Sequence, residues 1–165
     1  IIFIFIFQNI IYGKIENNFC LESKIKSLKN ILEIMTNIKS LKIAAQDDRG
    51  IILDIFKSSP KDHCALITFK KDSQRANHYH KKSTQYTFVV SGNLRLRTAK
   101  VDEGGNFISE IEELNIEPYT LITHLPYEAH GFLALSNSTI LAFACGIRGG
   151  QDYEKDVFRI KSMFK

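Results

Sequence analysis

Residues Arg75–Gly92 read RANHYHKKSTQYTFVVSG and carry the clearest structural signal in the chain. His78 and His80 are two residues apart, so in an extended chain both imidazoles point to the same face. After Gln85, apolar and polar residues alternate, and the turn at Gly92–Asn93 separates this run from the next one. The pattern predicts two histidines on an extended segment that leads into a half-buried strand and a tight turn.

The chain from Lys39 onward has a hydrophobic period of two, interrupted by turn-forming residues. Strands are predicted at Lys39–Ala45, Ile51–Phe56, Cys64–Lys70, Gln85–Ser91, Leu94–Val101, Phe107–Ile116, Thr120–Leu125, Gly131–Leu135 and Thr139–Cys145. Many short strands at regular spacing, with no helix between them, are typical of an antiparallel sandwich or barrel.

Two features precede the strands. The segment Glu22–Ile38 places apolar residues at helical spacing and polar residues elsewhere, which predicts an amphipathic helix with Ser23 as its N-cap. The run Ile1–Tyr12 is uncharged and rich in β-branched and aromatic residues. It is shorter than the ~20 apolar residues that span a bilayer, so we expect an extra strand or an extension, with a membrane anchor as the minor alternative.

Composition narrows the class of protein. The chain has 165 residues, of which 44% are hydrophobic and 24% charged, as expected for one globular domain. The net charge of +4 is modest and the lysines are dispersed, so nucleic-acid binding is not expected. Three widely spaced cysteines form no C-x-x-C pair, which argues against a disulfide framework and favours buried thiols in a reducing, cytoplasmic setting.

The histidine stretch resembles the first motif of the cupin superfamily, H-x-H, a short spacer, usually Glu, six residues and Gly. Here Gln85 stands where Glu is commoner. The segment from Pro126 to Phe132, which includes His130, resembles the second motif. The resemblance implies an all-β fold, a single RmlC-like cupin jelly-roll barrel preceded by an N-terminal α-helix. The expected parts are residues 1–37, the apolar segment and helix; 38–148, the barrel; and 149–165, a C-terminal tail that leaves the barrel.

In such a barrel His130 is expected to meet His78 and His80 from a later strand. Imidazole binds Fe, Mn, Zn and Ni, and three histidines with one amide oxygen leave positions open for water or substrate. One interpretation is therefore a divalent transition-metal site formed by His78, His80, Gln85 and His130. His63 and His124 lie outside both motifs and are expected to be structural.

A sharper resemblance concerns the segment RANHYHKKSTQ, which is similar to the signature of the nucleotide-sugar 3,4-ketoisomerase cupins. Those enzymes use no metal, and their H-x-H pair moves protons between neighbouring sugar carbons. The resemblance implies that His78 and His80 act as acid and base and that Arg75 stabilises the enediolate or a diphosphate. Imidazole suits both parts because it titrates near pH 6.5.

Further residues are expected to bind the substrate. Gln85 would orient an imidazole, and Lys81 follows the H-x-H pair directly. Tyr86, Arg95 and Arg97 are candidates for the mouth of the barrel, where the two arginines, which share a strand face, would meet a diphosphate. The alternative for the arginine pair is an exposed strand face. The sequence also departs from the ketoisomerase pattern at Ala76, where Gly is usual.

Three functions stay open on the sequence alone. The first is a nucleotide-sugar ketoisomerase or epimerase acting on a nucleotide-linked 4-keto-6-deoxyhexose without a cofactor. The second is a metal-dependent cupin, a dioxygenase, isomerase or lyase of a small molecule. The third is a non-catalytic sugar- or ligand-binding cupin, because fold does not fix function. A homodimer is expected, since open sheet edges in small jelly rolls need a cover, and no stable membrane association is expected.

Overall fold

The computed structural model describes residues 24–26, 28–29, 32, 37–144 and 155–164. The chain divides into two units, residues 1–36 and 37–165. In the first unit the described residues are helical, which confirms the N-terminal helix. The predictions for Ile1–Tyr12 lie outside the described residues. None of the described helical segments has the length and apolar character needed to cross a membrane.

The second unit consists mainly of β-strands, which confirms the all-β prediction. Its described part contains, in chain order, β1 (Ile38–Ser40), β2 (Ala45–Asp47), β3 (Gly50–Ile52), β4 (His63–Phe69), β5 (Gln74–Tyr79), β6 (Gln85–Ser91), β7 (Leu94–Lys100), β8 (Glu112–Ile116), β9 (Thr120–His124), β10 (Glu128–Ala134), β11 (Ser138–Ala144) and β12 (Phe158–Arg159).

Two five-stranded antiparallel sheets share one core. The first has the order β1-β9-β6-β11-β4 and the second the order β12-β5-β10-β7-β8, while β2 and β3 form a separate hairpin. The largest apolar cluster draws side chains from both five-stranded sheets, for example Val89 and Ile122 from the first sheet and Leu96 and Phe132 from the second. Burial of apolar surface between the sheets therefore holds the jelly roll together.

Strand alternation determines which side chains enter this core. In β7, Leu94 and Leu96 are fully buried, whereas the arginines between and after them are half-buried on the opposite face. In β4, Cys64 lies on the outer face and is exposed, so the expectation of a buried thiol is wrong for this residue. A period of two fixes the shared face of alternate residues but not which face is inward.

The C-terminal segment joins the barrel. In β12, Phe158 pairs with Tyr79, and Arg159 pairs with His78. Val157, Met163 and Phe164 are buried. The expectation that the chain leaves the barrel after residue 148 is therefore wrong for residues 155–164, because these apolar side chains and the open edge of β5 cover each other.

An irregularity in β5 lies immediately before the histidines. His130 pairs with His78 but Gly131 pairs with Ala76, so Asn77 is an extra residue in the ladder. Both Ala76 and Asn77 have positive φ, +66° and +53°. A Cβ at Gly131 would lie 2.7 Å from the Asn77 side-chain oxygen, so a larger residue there would displace the Asn77 side chain. Such a bulge changes the direction of the side chains that follow it.

Candidate active site

Three histidines converge inside the barrel. His78 lies on β5, His80 directly follows that strand, and His130 lies beside His78 on the neighbouring strand β10. The ring centroids of His78 lie 5.0 Å from those of His80 and 4.7 Å from those of His130. One nitrogen from each of the three rings lies within 4.8 Å of the others. All three side chains are buried.

Gln85 reaches this cluster from the first sheet. Its side-chain oxygen lies 3.2 Å from His80 Nε2, and its side-chain nitrogen donates to Thr87 Oγ1 at 3.3 Å. The amide is buried. Because an amide has a donor end and an acceptor end of similar shape, Gln85 can accept a hydrogen bond from imidazolium or donate one to neutral imidazole. A carboxylate at this position would bond only the charged form.

The other nitrogen of His80 is held by the C-terminal segment. His80 Nδ1 donates to the backbone carbonyl oxygen of Asp156 at 2.6 Å. Burial alone raises the pKa of the Asp156 carboxyl, but hydrogen bonds from the Ser83 side chain and from the backbone of the loop after His80 outweigh it, so the pKa lies below its usual value. Asp156 is therefore a buried carboxylate whose charge is satisfied by N–H and O–H donors.

A fourth histidine, His124 on β9, belongs to the cluster although the sequence motifs do not include it. Its ring is fully buried and stacks on His130 with centroids 3.9 Å apart and planes at 14°. His124 Nδ1 lies 3.5 Å from Glu128 Oε1, without the geometry of a hydrogen bond. Its position could have been inferred from alternation, since Thr120 and Ile122 on the same strand are also buried.

The environment keeps His130 uncharged. Burial, and then the positive charge that the neighbouring histidines would carry, place the pKa of His130 well below its usual value. A hydrogen bond from His130 Nδ1 to the Glu128 carbonyl oxygen, 3.2 Å long, opposes this shift only in part. Neutral imidazole is the form that accepts a proton or binds a metal, so the cluster is suited to either task.

Arg75 does not join the histidines. Its side chain is exposed, Nε donates to the Thr68 carbonyl oxygen at 3.0 Å, and the guanidinium lies 5.7 Å from the centre of the Phe69 ring. The bulge at residues 76 and 77 separates it from His78. The structure thus places Arg75 at the rim between β4 and β5. From there its side chain does not contact the histidines and is not placed to stabilise an enediolate bound to them.

Arg95 and Arg97 lie on the outer face of the second sheet. Both guanidinium groups pair with Glu113, at 3.4 Å and 2.6 Å, and Arg97 also donates to the Met163 carbonyl oxygen. Their expected place at the barrel mouth is wrong, because Leu94, Leu96 and Thr98 occupy the inward positions of β7. The alternative reading of the pair, an outward strand face, describes the observed arrangement.

Tyr86 and Lys81 also point away from the cluster. Tyr86 alternates with the inward residues Gln85 and Thr87 and packs edge-on against Phe56, with centroids 5.5 Å apart. The Lys81 ammonium donates to the Glu103 carbonyl oxygen at 2.8 Å. Neither side chain is placed to contact a substrate at the histidines.

The donor set fits a metal ion as well as acid–base chemistry. His78, His80 and His130 offer three imidazole nitrogens in one buried group. The Gln85 oxygen lies beside His80 as a fourth candidate. Three nitrogens and one amide oxygen suit Fe, Mn, Zn or Ni, although a neutral amide holds a cation less strongly than a carboxylate.

Solved structures of similar fold include nucleotide-sugar enzymes. A dTDP-4-dehydrorhamnose 3,5-epimerase from Sulfolobus tokodaii superposes with a TM-score of 0.60 at 17% identity, covering 74% of this chain and 83% of the epimerase. QdtA, a sugar 3,4-ketoisomerase from Thermoanaerobacterium thermosaccharolyticum in complex with TDP, superposes with a TM-score of 0.59 at 20% identity, covering 75% and 88%.

A third similar structure is the RmlC epimerase of Legionella pneumophila in complex with dTDP-4-keto-L-rhamnose, with a TM-score of 0.62, 16% identity, and coverage of 76% and 72%. Neither a protein-family model nor a curated protein sequence matches the chain. At these identities the likeness shows the fold: the chain has an RmlC-like cupin jelly roll.

Proposed function

We propose that this protein is a sugar-modifying cupin of the isomerase or epimerase type that acts on a nucleotide-linked 4-keto-6-deoxyhexose. The observation that carries the proposal is the convergence of His78 and His80 with Gln85 bonded to the second ring. The similar structures of a 3,5-epimerase and a 3,4-ketoisomerase, one of which holds TDP, support the substrate class.

The chemistry requires one proton to leave carbon and another to arrive at its neighbour. In a ketoisomerase reaction a base removes the C3 proton of the 4-keto sugar, which gives an enediolate across C3 and C4. Delivery of a proton to C4 and transfer of the O3 proton to O4 then yield the 3-keto sugar, with no net gain or loss of atoms. His78 and His80 are the base and acid in this scheme, since imidazole can take either part near neutral pH.

Gln85 suits such a cycle better than glutamate. As His80 gains and loses a proton, the amide can offer its oxygen or its nitrogen to Nε2. A glutamate would favour the charged ring and so oppose return of the proton. The departure from the commoner cupin residue at this position is therefore consistent with proton transfer as the function.

A metal-dependent cupin is the second candidate. It is favoured by the group of three imidazole nitrogens within 4.8 Å. In that case His78, His80 and His130 would hold the ion, with Gln85 beside them, and the chemistry supplied would be Lewis acidity toward a small-molecule substrate. A non-catalytic sugar-binding cupin would use the same residues without turnover.

We also propose that the protein acts as a homodimer in the cytoplasm. The edge strand β4 of the first sheet presents Leu66 with 68% of its surface exposed. Leu66 pairs in register with Leu141, and the row continues through Phe88 to Leu121. Leu141 and Leu121 are half-buried, and Phe88 is already buried within the chain. An apolar row that ends on an open edge is the kind of surface that a second copy covers.

Two measurements on protein purified without a polyhistidine tag test the proposed function. Mass spectrometry for metals should find much less than one transition metal per chain in active protein. Thymidine diphosphate-linked 4-keto-6-deoxyglucose should then be converted, as followed by NMR. One metal per chain, lost together with all activity in His130→Ala, would instead establish the metal-dependent candidate. Binding without turnover would establish the sugar-binding module.

A further inference from the structure

The C-terminal segment around β12 contacts β5 and the residues after it, close to His78 and His80. We propose that Asp156 is a positioning residue of the site and that it fixes the tautomer of His80, so that the proton rests on Nδ1 and Nε2 is the reactive nitrogen. The functional consequence rests on the proposed function, whereas the tautomer itself does not.

The first step is the contact between the ring and the backbone. His80 Nδ1 lies 2.6 Å from the Asp156 carbonyl oxygen. A carbonyl oxygen only accepts hydrogen bonds, so Nδ1 must carry the hydrogen. In the neutral ring the lone pair is then on Nε2, so the Gln85 amide, whose oxygen lies 3.2 Å from this nitrogen, must turn to present its N–H₂ end there. A ring with the opposite tautomer would bring two lone pairs against each other.

The second step is the set of hydrogen bonds between the Asp156 carboxylate and the backbone of the loop after His80. One carboxylate oxygen accepts from the backbone N–H of Lys81 at 2.9 Å, and the other accepts from that of Ser83 at 2.8 Å. The N–H of Lys82 points between them, at 3.2 and 3.3 Å. Asp156 thus bonds the ring of His80 through its backbone and the following residues through its side chain.

The third step is the anchorage of the segment that carries Asp156. The backbone N–H of Ile160 donates to the Asn77 carbonyl oxygen, and that of Met163 donates to the Asn77 side chain, each at 3.0 Å. Arg97 donates to the Met163 carbonyl oxygen from β7. The bulge residue before His78 and an outward arginine therefore hold the segment in place, which gives Arg97 a role away from the substrate.

This arrangement predicts a mutational pattern that simple destabilisation would not produce. Residues that orient a functional histidine typically change activity by about 10- to 100-fold when they are removed. Asp156→Ala should lower kcat in that range with little change in KM. Asp156→Asn keeps one oxygen that accepts backbone N–H donors, while its amide nitrogen cannot accept from the other donor, so it should recover part of the activity. Asp102→Ala is the matched control, because Asp102 caps the turn at Gly104 and Asn106 in the same way but makes no bond to a histidine.

The direct test is NMR of protein labelled with ¹⁵N in histidine, recorded in the presence of a chelator at a pH where the rings are neutral. His80, assigned by loss of its signals in His80→Gln, should be the Nδ1–H tautomer in the wild type, in Asp156→Asn and in Asp102→Ala. In Asp156→Ala it should become a mixture or change to Nε2–H, while circular dichroism shows a folded barrel.

A wild-type His80 with its proton on Nε2, or an unchanged tautomer in folded Asp156→Ala, would overturn the inference. If Asp156→Ala does not fold, a shifted tautomer in Asp156→Glu, whose longer side chain displaces the carbonyl, supports it, and an unchanged tautomer there contradicts it. A correct tautomer in a wild type that does not turn over any nucleotide-linked keto sugar would leave the inference standing and remove the proposed function.

Discussion

His124 and His130 stack face to face inside the barrel, with ring centroids 3.9 Å apart and planes only 14° from parallel. Both side chains are fully buried. Neither ring nitrogen of His124 has a hydrogen-bond partner among the residues that the structure describes. A buried polar group without a partner costs free energy, about 1–3 kcal/mol in typical cases. Burial of the His124 ring beside His130 therefore lowers the free energy of unfolding.

This cost can be measured with His124→Phe. Phenylalanine keeps a ring to stack on His130 and has no nitrogen to desolvate, so the free energy of unfolding should rise by about 1 kcal/mol. Urea unfolding gives this value. His63→Phe on β4 is the comparison, because this half-buried ring has a single buried nitrogen without a partner, Nδ1, and it should show a smaller effect. A loss of stability in His124→Phe with no loss at residue 63 would mean that the nitrogens of His124 are stabilised in the folded protein.

The lowered pKa of His130 makes stability depend on pH in a definite direction. The unfolded chain takes up a proton on this residue near its usual pKa of about 6.5, whereas the folded protein does not until a much lower pH. Stability should be constant above about pH 7. It should decrease as the pH falls below about 6.5, by up to about 1.4 kcal/mol per pH unit from this residue.

Urea unfolding of chelated protein between about pH 7.5 and 5.5 checks this slope. His130→Gln should reduce it, whereas His63→Gln should leave it nearly unchanged. A slope in His130→Gln equal to that of the wild type would assign the acid sensitivity to other groups.

Gln85→Glu separates the two catalytic candidates. A carboxylate beside His80 Nε2 should raise the pKa of that ring and strengthen divalent metal binding. Proton transfer should therefore slow down while zinc occupancy rises, as measured by turnover and by metal analysis after equal exposure to zinc. Gln74→Glu adds the same charge at an exposed position of β5 and should do neither. Higher occupancy with undiminished turnover would favour the metal-dependent candidate.

The bulge before His78 offers a test of backbone strain. Ala76 has a φ of +66°, a region that costs a residue with a Cβ about 1–2 kcal/mol. Ala76→Gly should therefore raise the free energy of unfolding by about 1 kcal/mol after the greater freedom of glycine in the unfolded chain is deducted. Ala65→Gly, in the middle of β4, should lower it instead, by about 0.5–1 kcal/mol. Destabilisation by both changes would show that the bulge is not strained by its alanine.

The sequence could predict the part of the site that depends on local spacing. His78 and His80 share a face because strands alternate, and the cupin resemblance brings His130 and Gln85 to them; the structure places all four together. The same alternation correctly groups Arg95 with Arg97 but gives no sign of which face is inward. That choice depends on the apolar residues of the whole sheet.

Other parts of the site depend on distant contacts that the sequence does not display. Asp156 meets His80 across 76 positions of sequence, from a segment with no recognisable strand pattern. Its position depends on the packing of Val157, Met163 and Phe164 along the edge of β5, which is a contact between residues far apart in the sequence. Strand alternation predicts that His124 points to the same side as Thr120 and Ile122. The sequence motifs do not indicate that it joins the other histidines, because it lies outside both of them.

Deuterium exchange shows whether the histidines move protons on a nucleotide-linked keto sugar. Chelated protein is mixed with thymidine diphosphate-linked 4-keto-6-deoxyglucose in D₂O, and the C3 proton signal is followed by NMR. This signal should disappear with wild-type protein, at a rate far above that of the sugar alone, and should persist with folded His78→Asn. Absence of exchange with the wild type, or exchange only after a transition metal is restored, would mean that the histidines do not move these protons by themselves.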